Sequence, residues 1–127
     1  MRFVVLDAGA LIAVERGNRG VQALLERIKK GGTKMLVPAG VVAEVWRDGA
    51  RQARVAKLLA AAETEVVPFN GHRARIAGVM LGVAGADDVV DASVVVCARE
   101  HGTDVPVLTS DPGDLRALDA TLAVVAI

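Results

Sequence analysis

Four acidic residues stand beside apolar runs, with no cluster of Lys or Arg to neutralise them. Asp7 ends the run FVVL, and Asp111 closely follows the run VPVL. Glu44 lies among Val and Trp residues in PAGVVAEVWRDG, and Asp91 precedes ASVVVCA. Because burial of a lone carboxylate is costly, such acids need a partner or a metal ion. Carboxylate oxygens that converge on one point suit a hard cation such as Mg²⁺ or Mn²⁺.

A carboxylate site of this kind would suit hydrolysis of a phosphodiester bond. The cation activates a water molecule and stabilises charge on the phosphate. Residues 1–86 carry 13 Lys and Arg against 7 Asp and Glu, whereas residues 87–127 carry 2 against 8. An acidic cluster folded beside a basic surface fits a metal-dependent enzyme with a polyanionic substrate. Ordinary solvated surface charge would explain the same distribution.

Three of the acids also have a simple structural explanation. Asp7 could cap a helix that follows it, and Asp111 lies in the turn-forming sequence SDPGD. Glu44 could lie at the margin of an apolar helical stripe and reach water, or pair with Arg47 or Arg51. Each alternative accounts for one residue, whereas a shared site accounts for all of them together.

The segment ADDVVDASVVVCA contains one acid more than a helix cap requires. Either Asp87 or Asp88 is expected to cap the helix, and Asp91 follows about one turn later. Like charges at this spacing repel each other unless a cation lies between them. We therefore assign Asp91 to the site and Asp88 to a supporting position.

The elements that must position these acids alternate along the chain. Apolar runs predict strands at 3–6, 35–37, 65–67, 107–109 and 123–127. Helical patterns predict helices at 10–16, 21–30, 39–47, 51–61, 71–83 and 89–101, with a short helix near Leu115. This alternation predicts an α/β three-layer sandwich with a central, mostly parallel five-stranded sheet. Ligand sites in such sheets lie beyond the carboxyl ends of the strands, which is where Asp7 and Asp111 would fall.

The composition agrees with that fold. The 127 residues are 53% hydrophobic, with one Trp, two Phe and no Tyr, so the core consists mainly of Val, Ala and Leu. Such residues suit a parallel sheet covered by helices, and the length suits one domain over residues 1–127. A single cysteine, Cys97, excludes an internal disulfide and a cysteine-rich metal site. No apolar stretch reaches the length of a membrane span, so we expect a cytoplasmic protein without a membrane partner.

The four acidic segments resemble the motifs of PIN-domain ribonucleases. They read LDAGALIA, VVAEVW, DASVVVCA and LTSDPGDL, and they supply the acids in the order Asp, Glu, Asp, Asp. The resemblance covers the whole chain, whose small size resembles the toxin subunits of VapBC-type toxin–antitoxin pairs. One departure is Val96 followed by Cys97, where relatives often have two Ala residues. We interpret this difference as a packing substitution.

The resemblance implies a Mg²⁺- or Mn²⁺-dependent endoribonuclease that acts as a toxin and inhibits translation. Such a toxin is usually a homodimer and is held inactive by a cognate antitoxin. By position, the resemblance assigns the catalytic and metal-binding roles to Asp7, Glu44, Asp91 and Asp111. Asp114 matches an accessory acid, and Thr109 and Ser110 match polar positions near the site.

Three arginines follow Glu44 at helical spacing. Arg47, Arg51 and Arg54 would share one face if a helix continued through Gly49, and they could then contact RNA phosphates. A solvated helix face, or a face that contacts the antitoxin, would carry the same residues.

Some proteins of other classes also begin with a strand that ends in Asp. A phosphatase of the haloacid-dehalogenase type would need a second acid two residues after Asp7, where Gly9 stands. A catalytically silent PIN-like module that binds RNA or protein is the main alternative. The presence of all four acids argues against it.

Overall fold

The computed structural model describes residues 2–127, and its strands form a five-stranded, all-parallel sheet. The strands are β1 (Phe3–Leu6), β2 (Lys34–Pro38), β3 (Thr64–Val67), β4 (Val107–Thr109) and β5 (Val124–Ala126). Their order across the sheet is β3-β2-β1-β4-β5, and Val5 of β1 lies between Leu36 and Val107. The predicted α/β sandwich is therefore confirmed, with a sheet that is wholly parallel rather than mostly so.

The helices form a layer on each face of the sheet. They are α1 (Ala8–Glu15), α2 (Arg19–Lys30), α3 (Ala39–Val45), α4 (Ala53–Ala60), α5 (Gly71–Ala84), α6 (Val89–His101) and α7 (Pro112–Leu118). Helix α1 contacts α2, α3 and α4, whereas α5, α6 and α7 contact one another. The chain moves from β1 to β3 in one direction across the sheet and then from β4 to β5 in the opposite direction. Because crossovers between parallel strands are right-handed, this reversal places the helices of the two halves on opposite faces. Among the helices described, none is long and apolar enough to cross a membrane.

The strand order reverses between β1 and β4, at the centre of the sheet. The N–H of Asp7, just past β1, donates to the carbonyl oxygen of Leu108 at 3.0 Å. Residues that follow the two strands therefore lie side by side at the carboxyl end. This is the position at which open parallel sheets bind their ligands.

Helix α6 is the most deeply buried helix in the described chain. Every residue from Ala92 to Ala98 is buried, and Val94 and Val95 have no exposed surface. The nearly unbroken apolar sequence predicts such burial. The helix packs against β1 and β2 and so has little freedom to move. Asp91, in its first turn, is thereby held at a fixed point next to the end of the sheet.

The helix that would place Arg47, Arg51 and Arg54 on one face does not continue through Gly49. Helix α3 ends at Val45, and Trp46 has extended backbone angles (φ −71°, ψ 130°). Helix α4 begins only at Ala53. Residues 46–52 therefore form a connecting segment, and the helices predicted at 39–47 and 51–61 are both shorter. Arg47 and Arg51 lie in this segment, whereas Arg54 lies on α4.

Gly9 allows α1 to approach the segment that follows β4. A Cβ atom added at Gly9 would lie 2.3 Å from Ser110 Oγ, 2.8 Å from Ser110 Cβ and 3.0 Å from Ser110 N. Real Cβ atoms do not tolerate these distances, so only glycine fits without movement of the Ser110 backbone. Gly9 therefore sets the distance between the two segments that carry Asp7 and Asp111.

We expect Gly9→Ala to lower the free energy of unfolding by about 1–3 kcal/mol, the usual cost of overpacking. Gly78→Ala is the matched control, because Gly78 is also helical and an added Cβ there meets nothing within 4 Å. This control should raise the free energy of unfolding by about 0.5–1 kcal/mol, since Ala is the better helix former. Urea unfolding of both variants measures the difference. Changes of the same sign would mean that the Gly9 contact relaxes at no cost.

Candidate metal centre

Asp7 is fixed through both of its carboxylate oxygens. Its side chain is buried, Oδ1 accepts from Ala8 N at 2.7 Å, and Oδ2 accepts from Thr109 Oγ1 at 2.8 Å. The first contact makes Asp7 the N-cap of α1. The second contact comes from β4 and serves no capping purpose. Capping therefore explains only the hydrogen bond to Oδ1. The hydrogen bond from Thr109 to Oδ2 orients the carboxylate at the end of the sheet.

Thr109 connects the ends of the two central strands. It is completely buried, and its hydroxyl accepts from the backbone N–H of Asp111 at 2.9 Å while it donates to Asp7. A hydroxyl can do both because it carries one donor and two acceptor sites. Thr109, which the sequence predicted to be a polar residue near the site, therefore hydrogen-bonds to the carboxylate of Asp7 and to the backbone of Asp111.

Helix α6 contributes two acids that lie one turn apart. Asp88 is its N-cap, and Asp88 Oδ1 accepts from Asp91 N at 3.0 Å. Asp91 is half-buried. Burial, and then the charges of four other acids, raise the pKa of the Asp91 carboxyl to about 7: Asp88, Asp7, Asp114 and Glu44. Five acids therefore share one electrostatic environment.

Glu44 lies on α3 at the margin of its apolar face. Val41 and Val45 on that face are buried, whereas Glu44 is mostly exposed. Partial burial of its carboxyl, followed by the charges of Asp88 and Asp7, raises the pKa of Glu44, and Arg47 opposes the rise. The exposure of Glu44 agrees with the alternative raised by the sequence, in which the side chain reaches water. The charges that act on it show that it also belongs to the acidic cluster.

The two acids of α7 differ in their relation to the cluster. Asp114 lies in the first turn of α7, and its charge raises the pKa of Asp91. Asp111 is exposed at the N-cap of α7, makes no side-chain capping hydrogen bond and is not among the charges that shift Asp91. Electrostatics therefore favours Asp114 as the acid of α7 that acts on Asp91. The motif favours Asp111, and this assignment stays a prediction.

The acids have the chemistry of a site for a hard cation but are not drawn together around one point. Within residues 2–127, six acids form no ion pair with a basic side chain: Asp7, Glu44, Asp88, Asp91, Asp111 and Asp114. In the same range, no three Asp, Glu, His or Cys side chains are placed so that they could hold one ion. Carboxylate oxygens are nevertheless the ligands that Mg²⁺ and Mn²⁺ prefer. A bound ion would have to draw these side chains closer together.

The predicted RNA-binding arginines do not form one surface. Arg47 lies beside Glu44 and donates from Nη1 to the carbonyl oxygens of Ala43 and Trp46. Arg51 lines the same groove as Glu44. Arg54 lines a different groove, between α2 and α4.

Two residues of the Glu44 groove were missed by the sequence analysis. Gln52 is buried although it stands in the polar stretch RDGARQAR, and Arg16 ends α1. No periodicity or motif marks either of them, because their positions depend on how α1 packs against the end of α3.

Comparisons with known proteins agree with this architecture. The model of the PIN domain family matches residues 4–121. A chain in the crystal structure of VapBC2 from Rickettsia felis, bound to a DNA fragment from their promoter, superposes with a TM-score of 0.74. The two chains share 14% sequence identity, and the match covers 98% of each. At this identity the likeness shows the fold alone. No curated protein matches the chain.

The raised pKa of Asp91 predicts how stability depends on pH. The ordinary pKa is 3.8 and the folded value is about 7, so the carboxyl favours the folded state fully below pH 3.8. That contribution is lost as the pH rises through about 7, because the folded state must then hold the charge. Asp91→Asn keeps the shape and removes the charge. We expect the variant to melt higher than the parent in EDTA, by a margin that grows between pH 4 and pH 8.

Mn²⁺ should reverse the order of the melting temperatures of the parent and Asp91→Asn. An ion that binds only the folded state stabilises it by mass action, and on the predicted assignment the variant lacks one of the carboxylates that hold the ion. The melting temperature of the parent should therefore rise more than that of Asp91→Asn as Mn²⁺ is added at pH 8. Equal responses to Mn²⁺ would remove Asp91 from the ion site. A helix-capping role would instead give a constant loss in the variant with and without the ion.

Proposed function

This chain belongs to the PIN domain family, and on that premise we propose that it is a Mg²⁺- or Mn²⁺-dependent endoribonuclease. PIN domains are typically metal-dependent nucleases. The observation that carries the proposal is the group of unpaired acids at the end of the sheet, in which Asp91 has a pKa of about 7. Groups with such perturbed pKa values, clustered in one cleft, are characteristic of functional sites.

The acids proposed to hold the ion are Asp7, Glu44, Asp91 and Asp111, with Asp88 and Asp114 in support. When bound, the ion would supply a Lewis acid that activates water and stabilises charge on the scissile phosphate. The hydroxyl of Thr109 orients Asp7 for this role through the hydrogen bond to Oδ2. Asp91 would have to be ionised to hold the ion, so ion affinity should fall as the pH drops below about 7.

We also propose that the protein is the toxin of a type II toxin–antitoxin pair. On this proposal residues 1–127 form one PIN-like domain, which acts in the cytoplasm as a homodimer, inhibits translation and is held inactive by a cognate antitoxin. The fold shared with a chain of the VapBC2 complex supports the proposal.

A catalytically silent RNA- or protein-binding module is the alternative function. The observation that favours it is the absence, within residues 2–127, of three side chains already placed to hold an ion. Binding of Mn²⁺ that is lost in Asp7→Asn would decide against this alternative.

Purified protein should cut single-stranded RNA in Mg²⁺ or Mn²⁺ and should stop in EDTA. Asp7→Asn should abolish cleavage, because it removes a proposed ligand. Thr109→Val should slow cleavage by roughly 10–100-fold, the usual effect of removing a hydrogen bond to a ligand. Asp104→Asn is the matched control, since Asp104 is an exposed acid near the start of β4, at the other end of the sheet. Cleavage that persists in EDTA would refute the proposal.

The same assay separates the two acids of α7. If electrostatic proximity decides which acid supports the ion, Asp114→Asn should lower kcat more than Asp111→Asn does. If the motif decides, the order is reversed.

Expression of the chain without a partner should arrest growth, while Asp7→Asn and Asp91→Asn should be tolerated at equal protein levels. Arrest follows from RNA cleavage on this proposal, so loss of an ion ligand should relieve it. Growth after induction and the amount of each variant measure the effect. A variant as toxic as the parent would place the cause of arrest outside the acidic cluster.

A further inference from the structure

A groove of about 460 Å³ is lined in part by Glu44, which also belongs to the acidic cluster. Its walls are the last turn of α1, with Glu15 and Arg16, and the connecting segment 46–52, with Arg47 and Arg51. Because Glu44 belongs both to this groove and to the cluster, a polymer bound in the groove would pass beside the carboxylates.

The groove presents three arginines whose guanidinium groups have capacity for a further ligand. Within the described chain Arg16 forms no ion pair. The side chain of Arg51 is 89% exposed and pairs only with Asp48, at 3.8 Å. Such surface pairs are weak, so a phosphate could replace Asp48. Arg47 uses Nη1 for the end of α3 and keeps its other N–H donors.

The segment that carries Arg47 and Arg51 is held by one buried side chain, that of Gln52. Its Oε1 accepts from the backbone N–H groups of Arg47, at 2.8 Å, and Asp48, at 3.0 Å. Its Nε2 donates to Glu15 Oε1 and to the carbonyl oxygen of Val45, both at 2.8 Å. One amide thus joins the end of α1, the end of α3 and the segment between α3 and α4. Every donor and acceptor of this amide is satisfied.

We propose that this groove holds the RNA strand that runs to the carboxylates, with Arg16, Arg47 and Arg51 binding its phosphates and Gln52 as the positioning residue. The inference rests on the proposed nuclease function. It adds Arg16 and Gln52 to the arginines predicted from the sequence, and it gives the RNA a path to the carboxylates. An RNA is favoured over an acidic protein segment because Glu44, which lines the groove, also belongs to the acidic cluster proposed to hold the ion. A divalent ion there would attract a phosphate, whereas a peptide needs no such ion.

The test is the salt dependence of binding of the full chain to a short single-stranded RNA in EDTA, where no cleavage is expected. A plot of log affinity against log salt concentration changes in slope by about 0.7 for each phosphate contact that is lost. Arg16→Gln, Arg47→Gln and Arg51→Gln should each reduce the slope by about this amount. Arg75→Gln, an exposed arginine on α5, should not change it.

Arg54→Gln distinguishes the groove from a continuous helical face. The groove predicts a normal slope for Arg54→Gln and a reduced slope for Arg16→Gln. The helical face predicts the opposite, and that result would overturn the inference. If a polyglutamate peptide binds as tightly as RNA of equal charge, with the same arginine dependence, the groove belongs to a protein partner and the inference is also wrong.

Gln52→Met tests the positioning role by steady-state cleavage. Loss of the amide should raise KM and leave kcat unchanged, because it displaces the arginines and not the carboxylates. A fall in kcat at unchanged KM would show that Gln52 acts on the acids instead.

The outcomes also separate this inference from the function on which it rests. A parent that binds and cuts RNA, with Arg16→Gln indistinguishable from Arg75→Gln, would refute the groove and leave the nuclease intact. A parent that neither binds nor cuts RNA would refute both. Arg16 is exposed, so its variant should fold even if Gln52→Met does not.

Discussion

Repulsion among like charges is the constraint under which the carboxyl end of this sheet is built. Burial, and after it the charges of Asp88, Asp7, Asp114 and Glu44, disfavours ionisation of Asp91. The unfavourable free energy of such a group must be offset by favourable contacts elsewhere in the fold. Active sites commonly lower the stability of a protein in this way. The surrounding structure therefore has to resist the tendency of the acids to separate.

Helix α6 shows how that resistance is achieved. Its N-terminal turn carries Asp88 and Asp91, and negative charge is favourable at this end of a helix dipole. At the opposite end, Arg99 donates from Nε to Asp119 just past α7, and this hydrogen bond lowers the pKa of Asp119 to about 2. Between the two ends the helix is buried against β1 and β2. The charged turn is thus fixed to an element that cannot yield without exposing the core.

The sequence predicts most of this arrangement because its main features are local. Strands and helices follow from runs and periodicity, and Asp88 as a cap follows from its place before an apolar helix. The end of α3 at Val45 could not be predicted, because the amide of Gln52 that donates to the Val45 carbonyl also donates to Glu15, 37 residues earlier in the chain. The closer relation of Asp114 to Asp91 depends likewise on the packing of α7 against α6. Tertiary contacts determine both the end of α3 and the relation of Asp114 to Asp91, and neither can be predicted from one segment of the sequence.

The hydrogen bond between Thr109 and Asp7 has a consequence for the order of events during synthesis. Its partners are 102 residues apart, and β4 joins the sheet only after α6 has been made. Contacts of such large sequence separation form late, because a long loop must close first. A nascent chain on the ribosome holds Asp7 and Glu44 well before Asp91, Thr109 and Asp114 emerge. If the site is a nuclease, the ribosome that translates the chain works beside an incomplete enzyme until the C-terminal third has been released.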